Sequence, residues 1–491
     1  MTAFTRYRND PEGTRLPIKL DSTTNGEFAP IPLAPVHHRA RQLAFESAAR
    51  NARRLGLTRR AFLVSACGAA TTLLGMNAAY AASGRRGGYF ELSDEAALDL
   101  ELARSTLDRQ EFIFDVQGHF VNPTGAWTRA LPANAQPLRF ATDRASCSSS
   151  SAPGLASLHC LGSESFIKDV FLDSDTDLVV LSFVPSTRQG EPLTIEEAAA
   201  TAAIVERMEG THRMLLHGRV NPNQEGDLDG MDELASRYRI AAWKTYTQWG
   251  PDGKGFFLDD DAGLAMIEKA RKLGIRTIAV HKGLPFGPQS YEHSTCADIG
   301  RVAKRYPDVK FLVYHSGFVP GKAEAPYDSA RTDGIDALVS SLRENKVKPG
   351  ANVYAELGST WRFLMRDPDS AAHALGKLFK YVGEDNVLWG TDSIWYGSPQ
   401  DQIQAFRTFQ ISGELAAKHG YPKITPALRA KVFGRNALRA YKIEEDVLKK
   451  HLARDKLARE RLAYAERADP SFLTYGPKTR REFLSLKARG G

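Results

Sequence analysis

From about residue 111 onward the chain repeats one pattern. Short runs of apolar, β-branched or aromatic residues alternate with longer stretches of helical or loop character. The runs fall at residues 112–116, 178–183, 214–220, 240–245, 277–281, 310–315, 353–356 and 387–389. Near-continuous apolar runs of this length predict parallel strands buried on both faces. Residues 195–208 follow Thr194 and carry Glu196 and Glu197 in their first turn, and residues 262–273 end at Gly274. Both read as helices with ordinary start and stop residues. Eight strand–helix units predict an α/β fold, a (β/α)8 TIM barrel over 111–443. A doubly wound open sheet is the alternative, but it does not require eight strands.

Other segments flank or interrupt this pattern. Residues 92–108 have helical spacing and predict a pre-barrel helix within 83–110. The interval from 121 to 176 is long and rich in Pro and Ser, including Pro123, Pro132, Pro137 and Pro153. A loop of that length in a compact domain is more often functional than idle, so it reads as a lid inserted between the first two strands. Residues 444–491 form a charged tail, helical to about residue 468. It is either a solvated helix or an arm embracing a second copy in a homo-oligomer.

Composition narrows the function. Hydrophobic residues make up 42% and charged residues 25% of 491, which is ordinary for a globular protein. The net charge is +7, yet residues 1–81 alone hold 11 Lys/Arg against 5 Asp/Glu. The remainder is nearly balanced, with no basic face for nucleic acid, which leaves a small-molecule substrate. Residues 1–57 lack periodicity and read as a mobile leader. Thr58-Arg59-Arg60-Ala61-Phe62-Leu63 opens an uncharged stretch that ends in Ala79-Tyr80-Ala81. Paired arginines, a mildly apolar run and a small-x-small end, within 58–82, read as a twin-arginine export signal. The expected location is then periplasmic or exported, with the twin-arginine machinery as a partner. A transmembrane helix is the alternative for a run of this length. Four cysteines are too few for a disulfide scaffold. Cys147 and Cys160 share one loop and are either a disulfide in an oxidising compartment or two thiols.

A barrel of this kind carries its chemistry at the strand C-termini. Those positions read Asp115, Gln117 and His119 on strand one, Lys244 on strand four and His281 on strand five. Strand six ends in His315, strand seven in Glu356 and strand eight in Asp392. Arg219, Tyr246, Trp249, Trp395 and Tyr396 also lie near strand ends. They line a pocket for an aromatic or carboxylated substrate, or they pack beneath the lid.

Three motifs carry a family likeness: Leu388-Trp389-Gly390-Thr391-Asp392, Leu312-Val313-Tyr314-His315-Ser316-Gly317 and Phe433-Gly434-Arg435-Asn436-Ala437. Over about 111–443 the chain resembles the amidohydrolase superfamily, and within it the branch that includes aminocarboxymuconate-semialdehyde decarboxylase. The resemblance implies one divalent metal, zinc or else manganese, held by His119, His281 and Asp392. It also implies that Asp392 accepts a proton and that His315 polarises or protonates the substrate. The branch has His or Glu at the position of Gln117, and an amide oxygen is a poorer ligand for a transition metal. Whether Gln117 is a fourth ligand stays open. Lys244 reads as a cation for a substrate carboxylate, beside Arg219 and Trp395, or as the ion-pair partner of Glu356. The expected enzyme is a metal-dependent hydrolase whose activated water attacks an amide, ester or lactone carbonyl. Non-oxidative decarboxylation of an aromatic or enoic acid is the alternative on the same site. Gln117 motivates a third reading, an exported binding protein on a degenerate barrel.

Overall fold

The computed structural model describes residues 10–108, 110–129, 160–209, 213–285, 290–446 and 456–484. In chain order its strands are β1 (Gly88–Phe90), β2 (Phe114–Gly118), β3 (Leu178–Leu181), β4 (Met214–Arg219) and β5 (Ile240–Tyr246). Then follow β6 (Thr277–His281), β7 (Lys310–Tyr314), β8 (Val353–Glu356), β9 (Val387–Leu388) and β10 (Phe409–Ile411). Strands β2 to β9 lie side by side in sequence order, every pair parallel. The sheet closes on itself. Val116 N donates to Trp389 O at 3.0 Å, Asp392 N donates to Gln117 O at 2.9 Å, and Gly118 bridges to Ser393. The expected TIM barrel is therefore the fold.

The apolar runs locate the strands because both faces are covered: β2, β3, β6 and β8 are buried at every position. Only the first run is displaced. Its strand begins at Phe114 and continues through polar Gln117, with an irregular register between Asp115 and Gly118. Asp115 is tolerated inside because it accepts the Gln117 and Thr391 amides, at 2.9 and 3.1 Å. Phe114, Val116, Val180, Ala279, Leu312 and Leu388 fill the barrel interior. The Asn436–Tyr441 helix adds Ala437, Leu438 and Ala440 to the same cluster. Asn436 fixes that helix by donating to Glu384 O and Val387 O, both at 2.9 Å. Strands β1 and β10 pair antiparallel outside the barrel. Three residues each are too few to show a period.

The N-terminal region differs most from expectation. Residues 10–57, read above as a mobile leader, are folded. The helix Pro35–Arg54 buries Ala40, Ala44, Ala48, Asn51 and Ala52 against the helix Ala66–Ala82. A Cβ on Gly75 would lie 3.1 Å from Ala44 N, so the two backbones approach closely. A face of alanines carries little hydrophobic contrast, and the sequence pattern was weak for that reason. The run read as an export signal is thus a helix buried against protein. Arg60 is itself buried, with its guanidinium 4.5 Å from the Phe472 ring. No helix among the described residues is long and apolar enough to cross a membrane.

Two segments far apart in sequence, residues 19–24 and 475–477, meet over the barrel's C-terminal mouth. Lys19 donates to Tyr396 O (2.7 Å) and Ser398 O (2.5 Å). Arg362 holds Lys19 O at 2.6 Å and Asp21 Oδ1 at 2.8 Å. Among the described residues of the tail a helix spans Lys456–Ala465, ending ahead of the expected residue 468. Beyond it the chain returns to the mouth: Tyr475 N donates to Trp395 O at 2.7 Å, and Thr24 N donates to Pro477 O at 3.0 Å. The pre-barrel helix shortens to Leu100–Leu107 after a turn at Asp94–Ala97. Most of the expected lid lies outside the described residues, as does Cys147. Cys160 is buried.

Candidate active site

The strand ends bring Gln117, His119, Lys244, His281, His315, Glu356 and Asp392 to one end of the barrel, all of them buried. His119 Nε2 lies 3.1 Å from Asp392 Oδ1. The amide nitrogen of Gln117 joins the group. It donates to Asp392 Oδ1 at 3.1 Å and stands 3.3 Å from His119 Nε2 and 3.4 Å from His315 Nε2. Its oxygen is turned toward Gly358, where a Cβ would come within 2.2 Å of it. Asp392 needs a donor there, so the NH₂ faces the centre, and an amide NH₂ is not a metal ligand.

His315 has a fixed tautomer. Its Nδ1 is 2.6 Å from Gly358 O, which can only accept, so the proton sits on Nδ1 and the Nε2 lone pair faces the centre. Glu356 positions this residue by accepting His315 N at 2.9 Å and Gly358 N at 2.5 Å. Burial pushes Glu356 up to about 8 despite those two bonds. Burial also lowers His315 to about 4, and it holds His281 well below the usual histidine range. Neutral imidazole is the form that binds metal. His281 stacks on Tyr246, with centroids 4.6 Å apart, and meets the His315 ring edge-on at 4.4 Å.

Asp392 is surrounded by donors. Burial opposes its charge, but its hydrogen bond to His119 and the nearby charges hold it below the usual carboxylate range. Its second oxygen accepts from Ser359 Oγ, and from Asn25 Nδ2 at 2.9 Å. Tyr396 OH backs Ser359 at 2.7 Å. His315, Ser359 and Asp392 all have left-handed backbone, with φ of 64°, 53° and 57°. Such conformations in non-glycine residues concentrate at functional sites.

The expected substrate contacts separate here. Lys244 points into the barrel, its Nζ 3.7 Å from the Tyr314 ring centroid and 4.6 Å from that of Tyr246. Nζ has no hydrogen-bond partner among the described residues, Glu356 included. Burial lowers this lysine to about 7, against the pull of Glu356, then Glu27 and Asp392. Trp395 is half-buried, 6.2 Å from the His119 ring. Arg219 is turned away: it donates to Ser186 O at 2.5 Å and pairs with Glu191.

Sequence reasoning missed Asn25 and Glu27. They arrive from the segment read as leader, where no period or strand end marks them. Ser359 was reachable, since it follows strand β8 as the other polar residues follow theirs. Glu27 Oε1 lies 3.7 Å from His281 Nδ1. Glu27, His281 and His315 each offer a ligand atom, and the three atoms lie within 4.8 Å of one another. Two neutral imidazoles and a carboxylate, with His119 and Asp392 alongside, suit a zinc or manganese ion.

Histidines and carboxylates converging at the C-terminal mouth of a β/α barrel define an enzyme of the metal-dependent barrel class. The sequence matches the family described as Amidohydrolase over residues 168–443, more than half of the chain, and the chain belongs to that family. His281, His315, Glu356 and Asp392 lie inside the matched range. Among solved structures the chain is similar to 5-carboxyvanillate decarboxylase from Sphingomonas paucimobilis. The identity is 15%, the TM-score 0.43, and the match covers 68% of this chain and 100% of that one. It is similar also to an uncharacterized TIM-barrel protein from Bordetella bronchiseptica (15%, TM-score 0.42, 70% and 99% covered). A third is 2,6-dihydroxybenzoate decarboxylase from Rhizobium (15%, TM-score 0.40, 68% and 99% covered). No curated protein matches.

Proposed function

We propose that the chain is a non-oxidative decarboxylase of a small aromatic or enoic acid, with one divalent metal, zinc or manganese, at the barrel mouth. The observation that carries this reading is the surroundings of Asp392. Hydrolysis needs a carboxylate with a free lone pair to take a proton from water. Here one oxygen meets His119 and Gln117, and the other meets Ser359 and Asn25. Those four contacts use the four lone-pair sites of a carboxylate. Asp392 is thereby built as a fixed anion rather than as a base. The substrate class follows from Lys244, a buried amine without a hydrogen-bond partner among the described residues, which calls for an anionic group.

His119, His281 and His315 would hold the metal, with Asp392 beside them as the fixed anion, and the metal when bound would supply Lewis-acid stabilisation of charge on substrate oxygen. The rest falls to the chain. Lys244 holds the substrate's acid group. As the bond from carbon to the carboxyl group breaks, its electron pair stays on carbon and CO₂ leaves. The Nζ–H of Lys244 then delivers a proton to that carbon and is replenished from solvent. Asn25 and Glu27 lie over the group and limit the entry of water.

The family match supports hydrolysis as the second reading. Incubation of the metal-loaded protein with a panel of arylcarboxylic acids in ¹⁸O-water separates the two. Release of CO₂ with no ¹⁸O in the remaining product is expected. Products bearing ¹⁸O, formed without CO₂, would overturn the assignment in favour of hydrolysis. We further propose that the protein is exported by the twin-arginine route and keeps its N-terminal segment. Thr58–Leu63 supports the first point, and the packing of Asn25 and Glu27 over the site supports the second.

A further inference from the structure

We propose that Glu27, carried in by the segment ahead of the barrel, is a ligand of the site metal and supplies the ionisable donor that Gln117 does not. The inference rests on the reading that the barrel mouth holds one metal. It adds a ligand from a segment that lies wholly outside the barrel.

Three observations converge. First, the carboxylate is in place: Glu27, His281 and His315 have their ligand atoms within 4.8 Å of one another. Second, it is aimed. Asn25 Nδ2 donates to Glu27 Oε2 at 2.7 Å and to Asp392 Oδ2 at 2.9 Å, while Glu27 Oε1 faces His281. One amide thus ties the two carboxylates nearest the histidines and leaves an oxygen of Glu27 turned toward them. Third, the segment is anchored ahead of Glu27 by three residues, and just after it Phe28 packs edge-on against Phe363, with ring centroids 5.1 Å apart. Lys19 and Asp21 are held by Tyr396, Ser398 and Arg362, and Thr23 Oγ1 meets Thr474 Oγ1 at 2.7 Å. A carboxylate fixed in this way has less freedom to lose on binding, which favours coordination.

The charge balance points the same way. At the strand-one position, Gln117 turns a neutral NH₂ toward the centre. Among donors touching the histidines, Asp392 then supplies one negative charge, and Glu27 supplies a second, matching a divalent cation. Hard or borderline cations such as Mn²⁺ and Zn²⁺ take carboxylate oxygen readily.

The test is a Mn²⁺ titration of metal-stripped full-length protein, following the free Mn²⁺ signal by electron paramagnetic resonance, with no substrate present. Removing even an outer partner of a metal ligand costs about 10–100-fold in affinity, so Glu27→Gln should weaken Mn²⁺ binding by at least that factor. Glu27→Asp should recover part of the loss. Metal-free melting curves of both variants should match the wild type. A Glu27→Gln protein that binds Mn²⁺ within about twofold of wild type would overturn the proposal, as would a wild-type chain that binds no Mn²⁺. Iron-directed cleavage of the unmodified protein is a second readout, independent of variant folding. Fe²⁺ with ascorbate should cut the backbone near residue 27 as well as near 281 and 315, and cuts at the histidines alone would contradict the assignment. Neither measurement involves turnover, so failure of the decarboxylase reading would leave this result standing.

Discussion

Replacing Lys244 with Met should make the protein more stable and inactive at the same time. The ammonium is fully buried, faces two aromatic rings and has no hydrogen-bond partner among the described residues. Burial moves it from 10.5 to about 7. That displacement corresponds to about 4–5 kcal/mol withheld from the folded state at and below about pH 7. Between about pH 7 and pH 10.5 the unfolded chain holds the proton and the folded chain has released it. Stability therefore rises with pH across that window, and below about pH 7 the full penalty applies. Methionine has similar length and no charge, so Lys244→Met should lose this contribution to the slope over the same window. The substitution also forfeits the cation–π contacts, about 1–2 kcal/mol. The net gain at pH 7 is then about 3 kcal/mol. With an unfolding entropy of about 2 cal/mol/K per residue, that is about a 3 °C rise in melting temperature for this chain. Calorimetric scans at pH 7 and pH 10 on both proteins, beside a CO₂-release assay, give the answer. A Lys244→Met protein that melts below the wild type at pH 7, or that keeps the wild-type pH slope, would show that the ammonium is compensated and would remove the argument for an anionic substrate.

Asp392→Asn should retain the fold and the melting temperature within a few degrees while lowering turnover by about 10–100-fold, the cost of losing a partner that orients a metal site; steady-state kinetics with undiminished kcat would sink its assignment to the site. Gly390→Ala places a Cβ 1.6 Å from Glu356 Oε1, so Glu356 must swing out and release the amides of His315 and Gly358. Turnover should fall by at least about tenfold and stability by about 1–3 kcal/mol, the cost of orphaning buried polar groups; kinetics and denaturant unfolding both read this out. Protein recovered from its native compartment should carry residues 25 and 27, so its intact mass should exceed that of a chain beginning at residue 82. A mature chain starting there, fully active, would contradict any role for Asn25 and Glu27.

How much of this was legible depended on what the chain had to hide. Both faces of each barrel strand are covered, so the strands advertise themselves as apolar runs, and polar residues at their ends stand out by contrast. His119, His281, His315 and Asp392 emerge from that rule alone. Arg219 satisfies the same rule yet points away, because position along a strand fixes depth in the barrel and side-chain direction depends on the local register. The register of β4 against β5 shifts between Leu216 and His217, which no sequence pattern reveals. Glu27 and Asn25 were illegible for a different reason. They sit in a segment with no secondary structure of its own, held by side chains such as Lys19, Arg362 and Thr474 that are distant in sequence. The packing of the two N-terminal helices was not legible, because a face of alanines carries little hydrophobic contrast. An export signal and a tightly packed helix pair look the same in such a stretch.

The strained backbone explains why the polar cluster holds its shape without a rigid secondary structure beneath it. His315, Ser359 and Asp392 each adopt a left-handed conformation that disfavours side chains by about 1–2 kcal/mol. Two of these residues are held by bonds between neighbouring strands. Asp392 N donates to Gln117 O on β2, and His315 N donates to Glu356 Oε2 on β8. The buried carboxylate of Glu356 is therefore required for geometry, since it offsets the cost of turning His315 toward the centre. The same logic accounts for Gly358 and Gly390, which leave room for Glu356 and Gln117 where any side chain would collide. A barrel that turns these residues left-handed at adjoining strand ends, and packs residues 19–27 and 475–477 over them, has committed stability to the placement of those side chains. Strand ends without left-handed turns would carry less strain, which fits the roles proposed above for Asp392, His315 and Lys244.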